Sequence, residues 1–105
     1  MDFRQLIDRA IEIRKQYSEK EKTLYGSSWT NEEIALGFVG DVGDLAKLVI
    51  AENGKRNIPN SQEKLEHELA DCLWSIIVLA DMHKVSLEET FLKTMDEIEL
   101  HIKEH

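Results

Sequence analysis

The sequence predicts an all-α protein, a four-helix bundle with its second and third helices at the centre. Three observations predict it. Apolar residues recur at helical spacing in four segments, and no segment alternates as a strand would. Helix-capping signatures stand before the second and fourth segments. The only proline, Pro59, falls in a polar stretch between the second and third.

The first helix is expected from Asp2 to Lys20, where Phe3, Leu6, Ile7, Ala10, Ile11 and Tyr17 make one apolar stripe. A polar stretch through Gly26, Ser27 and Ser28 follows. Thr30 then reads as an N-cap, with Glu33 three residues later completing a capping box. This second helix runs to Glu52 and stops at Asn53-Gly54. Ser61 is the expected N-cap of the third helix, which extends to His83. Ser86 with Glu89 opens a fourth that continues to the C-terminus. Short links between four helices favour antiparallel packing.

The second and third helices are apolar nearly all round. Phe38, Val42, Leu45 and Val49 form one stripe of the second, while Leu36, Val39, Ala46 and Ile50 lie on its other faces. Leu69, Cys72, Ile76 and Leu79 do the same for the third, with Leu73, Trp74, Ile77 and Ala80 continuing around it. Such helices are buried on several sides. In a chain of 105 residues this implies a single domain over 1–105 that also buries surface against further copies of itself.

The formal net charge of −8 argues against a nucleic-acid polymer as partner. No apolar run is long enough for a membrane span. One cysteine, Cys72, cannot make an internal disulfide; it sits on an apolar stripe as a core residue, and a reducing cytoplasm is the expected compartment. His83, His101 and His105 are read as surface residues near helix ends.

Four acids interrupt the central helices. Asp41 and Asp44 are spaced i, i+3, and so are Glu68 and Asp71, so each pair shares one helix face. Like charges there repel, and burying them is costly. A divalent cation between the two pairs would relieve both penalties, and Mg²⁺ prefers such oxygen ligands together with substrate phosphates. A solvated acidic face is the competing reading. Gly37, Gly40 and Gly43 recur every three residues beside the first pair, as close helix packing or room for a ligand would require. Trp29 and Tyr25 flank the entry to the second helix, where they either pack on it or stack on a nucleobase. Lys55 and Arg56 are loop cations, either solvated or in reach of phosphate. A P-loop is absent, a Glu-x-x-His di-iron motif is absent, and His67-Glu68-x-x-Asp71 lacks the second histidine of a zinc protease.

The segments FVGDVGDLAKL and HELADCLWSIIVLADMHKVSLEETFLKTM resemble the MazG-like all-α nucleoside triphosphate pyrophosphohydrolases, more closely the dCTP-pyrophosphatase branch, from Trp29 to Met95. The resemblance implies that Asp41-x-x-Asp44 stands where the family has ExxE, and that Glu68-x-x-Asp71 is its ExxD. It implies that these four carboxylates hold Mg²⁺, with Mn²⁺ as a substitute, and that the chain is a homodimer or homotetramer. The implied reaction converts a nucleoside triphosphate and water to monophosphate and pyrophosphate, in the clearing of noncanonical or excess nucleotides. Glu68 is the first choice to accept the proton of the attacking water, on its reach. Two departures stand out. Asp replaces Glu twice in the first motif, and Thr94 and Ile98 occupy positions where that branch often carries Lys and Asn for the phosphates. The alternative is a degenerate relative that binds nucleotide or a protein partner without turnover.

Overall fold

A computed structural model describes residues 1–104; His105 lies outside the described residues. Four helices and no strand are present among them: α1 (Phe3–Tyr25), α2 (Asn31–Glu52), α3 (Ser61–Met82) and α4 (Leu87–Glu104).

The boundaries follow from the caps. Asp2 accepts from the Gln5 amide while the Gln5 side chain accepts from the Asp2 amide, so two orphan donors of α1 are satisfied. Helix α1 outlasts the expected stop at Lys20 by five residues. Nothing between Glu21 and Tyr25 breaks it, and Gly26 is the first residue suited to the left-handed cap it adopts at φ 84°. Thr30 and Glu33 form the expected capping box of α2. At α3 the expectation is corrected. Asn60, in the left-handed region at φ 56°, is the cap residue, and Ser61 is the first helical residue. The Ser61 hydroxyl instead donates to Glu52 Oε1 at 2.6 Å, tying the start of α3 to the end of α2. Ser86 precedes α4, its carbonyl accepting the first helical bond from Thr90.

Helices α2 and α3 form the principal interface, as expected of central helices, and α1 packs on α3. The core is small: Ile7 from α1, Ile34, Leu48 and Ala51 from α2, and Cys72, Ile77 and Val78 from α3. Burial pushes the Cys72 thiol above its ordinary range, in keeping with a core position. His83 caps α3 on the surface with its Nε2 3.5 Å from Asn31 Nδ2, and His101 is exposed on α4.

The bundle is open within one chain. Helix α4 buries no residue, and Phe91, Leu92, Ile98 and Ile102 remain exposed along it. On α2, Leu36 and Val39 are about 70% exposed, at 74% and 68%. The radius of gyration is 16.7 Å, against about 13 Å for a compact chain of this length. The apolar faces read from the sequence are real, but one copy of the chain leaves them uncovered. No helix among the described residues is long and apolar enough to cross a membrane.

Candidate metal and nucleotide site

Antiparallel packing of α2 on α3 brings the two acidic pairs to one level of the interface. A carboxylate oxygen from each of Asp41, Asp44 and Glu68 lies within 4.8 Å of the others. Asp71 sits beside this group rather than within it, its Oδ2 3.1 Å from His67 Nε2. Burial raises the Glu68 carboxyl above the ordinary carboxylate range, and the negative charges of Asp41, Asp71 and Asp44 push the same way. Glu68 Oε1 is buried without any hydrogen-bond partner. A buried carboxylate oxygen with no donor is expensive. Three converging carboxylates, one of them orphaned, therefore fit a hard cation with oxygen preference.

A cavity of about 310 Å³ opens next to these acids, between α1, α2 and α3. Asp41 and Asp71 line one side of it; Trp29, Tyr17, Phe38 and Trp74 supply its aromatic walls. Tyr17 meets Trp74 edge-on at 6.1 Å, and the Trp74 indole N–H donates to the Ala10 carbonyl across the α1–α3 contact. The cavity has a charged end as well. Arg14 holds Glu21 through two bonds of 2.8 and 3.2 Å, and Glu21 Oε1 also accepts from the Trp29 amide at 3.0 Å. The Arg14 guanidinium keeps the Glu21 carboxyl below the usual range despite its burial.

The structure thus brings together Asp41, Asp44, Glu68, Asp71 and Trp29. It does not bring Tyr25, which ends α1 78% exposed and away from the cavity, where Tyr17 takes the aromatic position. Lys55 and Arg56 lie exposed in the turn between α2 and α3 and line neither this cavity nor the groove beyond the acids. Arg14 and Glu21 were not singled out by sequence, and Tyr17 and Trp74 were read only as members of apolar stripes. A signal existed: Ile7, Arg14 and Glu21 are spaced by seven, so two charges continue the stripe that Ile7 begins.

The model of the MazG nucleotide pyrophosphohydrolase domain matches residues 29–101. The chain belongs to this family. No curated protein and no solved structure matches it significantly. The MazG match covers both acidic motifs and Trp29 but excludes α1, so the wall holding Arg14, Tyr17 and Glu21 lies outside the matched region.

Gly37 has a specific place in the wall of this cavity. A Cβ there would stand 3.1 Å from Cζ3 of the Trp29 indole. Gly37→Ala should gain roughly 1 kcal/mol in helix propensity. The half-exposed indole must then give by a few tenths of an ångström, so melting should change little or rise while the packing of Trp29 on α2 loosens. Fluorescence in a Trp74→Phe background checks this, with a red shift of Trp29 emission expected on Gly37→Ala.

Proposed function

We propose that the protein is a Mg²⁺-dependent nucleoside triphosphate pyrophosphohydrolase, giving a nucleoside monophosphate and pyrophosphate. The observation that carries this reading is the shared wall. Asp41 belongs to both the acidic group and the aromatic cavity, and Asp71 lines the cavity beside it, so a nucleotide with its base at Trp29 and Trp74 would place its α-phosphate at the carboxylates. The placement within the dCTP-pyrophosphatase branch and a role in clearing noncanonical or excess nucleotides rest on the sequence resemblance, and a cytoplasmic location rests on the lone Cys72.

Asp41, Asp44 and Glu68 would hold the cation, with Asp71 completing the set from beside it. Their oxygens already lie within 4.8 Å of one another despite the shorter reach of Asp for Glu, and the carboxylates would close further around a bound ion. The ion would screen the triphosphate and lower the pKa of water. Glu68 would accept the proton of the attacking water, through a carboxylate oxygen that no protein donor occupies. The water oxygen bonds to the α-phosphorus, the bond from that phosphorus to the bridging oxygen breaks, and pyrophosphate leaves. Trp29 and Trp74 hold the base by stacking. A panel of ribo- and deoxynucleoside triphosphates with Mg²⁺ or Mn²⁺ tests this. Release of pyrophosphate with monophosphate is expected, and release of orthophosphate alone, or no turnover with any nucleotide, would reject it.

The functional unit on this reading is a homodimer or homotetramer. Leu36 and Val39 on α2 and Phe91, Leu92, Ile98 and Ile102 on α4 are exposed apolar residues that a second copy would cover. Sedimentation at micromolar concentration should give a mass at least twice 12.2 kDa; a stable monomer would refute the assembly.

A further inference from the structure

Beyond the acids, on the side away from the aromatic cavity, α2 and α3 frame a second groove of about 400 Å³. Asp44 and Glu68 form its near wall, Lys47, Lys64 and His67 line it further along, and Glu63 with the apolar Leu48 and Ile58 completes the lining. The antiparallel helices stack these residues in levels. Asp41 and Asp71 border the aromatic cavity, Asp44 and Glu68 come next, and Lys47 and Lys64 follow. On α2 the steps are i, i+3, i+6, and on α3 they are i, i−3, i−7, so each level lies about one helical turn of 5.4 Å from the last. Neither Lys47 nor Lys64 has an ion-pair partner among the described residues, although acids surround both. His67 is held by Asp71 at 3.1 Å. Helix α4 lines neither the cavity nor the groove.

From this order we infer that the groove at Lys47 and Lys64 is the binding site for the β- and γ-phosphates and for the pyrophosphate they become. The inference deepens the triphosphate reading and rests on it. A base at one end of the row and two unpaired ammonium groups at the other leave the carboxylates between them, at the scissile linkage. Ammonium groups on flexible stems suit a leaving group that must be neutralised and then released. They also answer how an acidic chain with Thr94 and Ile98 on α4 would grip a polyanion: the cations come from the same two helices as the carboxylates.

The test is calorimetric titration of the protein with inorganic pyrophosphate in Mg²⁺, which needs no turnover. The wild type should bind pyrophosphate. Lys47→Gln with Lys64→Gln should weaken it at least tenfold, leave nucleoside monophosphate binding within about twofold, and raise KM for triphosphates more than it lowers kcat. Lys47→Arg with Lys64→Arg, which keeps both charges, should restore most of the affinity and serves as the control for folding. Equal pyrophosphate affinity in wild type and the glutamine variant would overturn the inference, as would failure of the wild type to bind pyrophosphate at millimolar concentration. The two readings fail separately. Lysine-dependent pyrophosphate binding without nucleotide turnover rejects the hydrolase and keeps the groove. Turnover with a KM indifferent to both lysines keeps the hydrolase and rejects the groove.

Discussion

Glu68→Gln is expected to raise the melting temperature of the metal-free protein and to abolish its further rise on adding Mg²⁺. Without a cation, wild-type Glu68 keeps a buried, partnerless oxygen beside the charges of Asp41, Asp71 and Asp44. The amide removes one charge at nearly constant volume, and its N–H₂ can donate to a neighbouring carboxylate. The sign in pH follows. A carboxyl raised in the folded state binds its proton more tightly there than in the unfolded chain, so the metal-free wild type loses stability as pH rises above the ordinary carboxylate value toward the raised one. The variant should lack that loss. With cation present the order inverts. Wild type gains RT ln(1 + [L]/Kd), about 2.7 kcal/mol at a hundredfold excess over Kd, or on the order of 10 °C for a domain this size. The variant should gain far less and lose about a hundredfold or more in turnover, as befits a lost ligand and proton acceptor. Melting both proteins in EDTA and in Mg²⁺, across pH 5 to 8, supplies the comparison. Equal Mg²⁺-induced shifts would show that Glu68 does not hold the ion.

The acids were legible because their cost was legible: Asp41, Asp44, Glu68 and Asp71 stand where apolar periodicity wants Leu or Val. Helix existence was legible for the same local reasons, and so were the Thr30–Glu33 capping box and the stop of α2 at Asn53. The cap of α3 was not, because Asn60 reaches a left-handed conformation while the Ser61 hydroxyl is drawn off by Glu52, a partner nine residues away. Of the aromatic wall, Trp29 was singled out from the sequence, while the place of Tyr17 and Trp74 in it was missed for a related reason. Tyr25 is adjacent to the entry of α2 in sequence, but the continuation of α1 to Gly26 leaves it on the outside, while Tyr17 and Trp74 meet only through the packing of α1 on α3. The levels of Lys47 and Lys64 likewise depend on the register between α2 and α3, which periodicity within one helix does not fix.

Arg14→Met is expected to destabilise the protein by about 2 to 3 kcal/mol, with most of the deficit at neutral pH. Breaking a fully buried ion pair by removing one partner costs roughly 3 to 5 kcal/mol. The figure here is lower because Arg14 keeps some water contact at the cavity, its side chain 16% exposed against 8% for Glu21. What remains after the substitution is a buried carboxylate whose sole charged partner is gone. The pH dependence separates this from lost packing. In the wild type the pair depresses the Glu21 carboxyl, so its contribution is present above the unfolded value near 4.5 and is lost as pH falls through the depressed one. In Arg14→Met the same carboxyl becomes a liability when ionised and is relieved by protonation. The two stability curves should therefore converge on acidification, whereas a packing defect would hold them apart at every pH. Adding Glu21→Leu should recover most of the loss, because replacing both charges by apolar groups leaves nothing buried and unpaired. The double variant nevertheless loses the acceptor for the Trp29 amide. It should fold stably with the loop at Trp29 released, and so bind nucleotide more weakly at near-native stability. Chemical denaturation of the three proteins from pH 4 to 8, with monophosphate titrations at pH 7, would measure both effects. A double variant as unstable as Arg14→Met would show that the cost lies in shape rather than in charge.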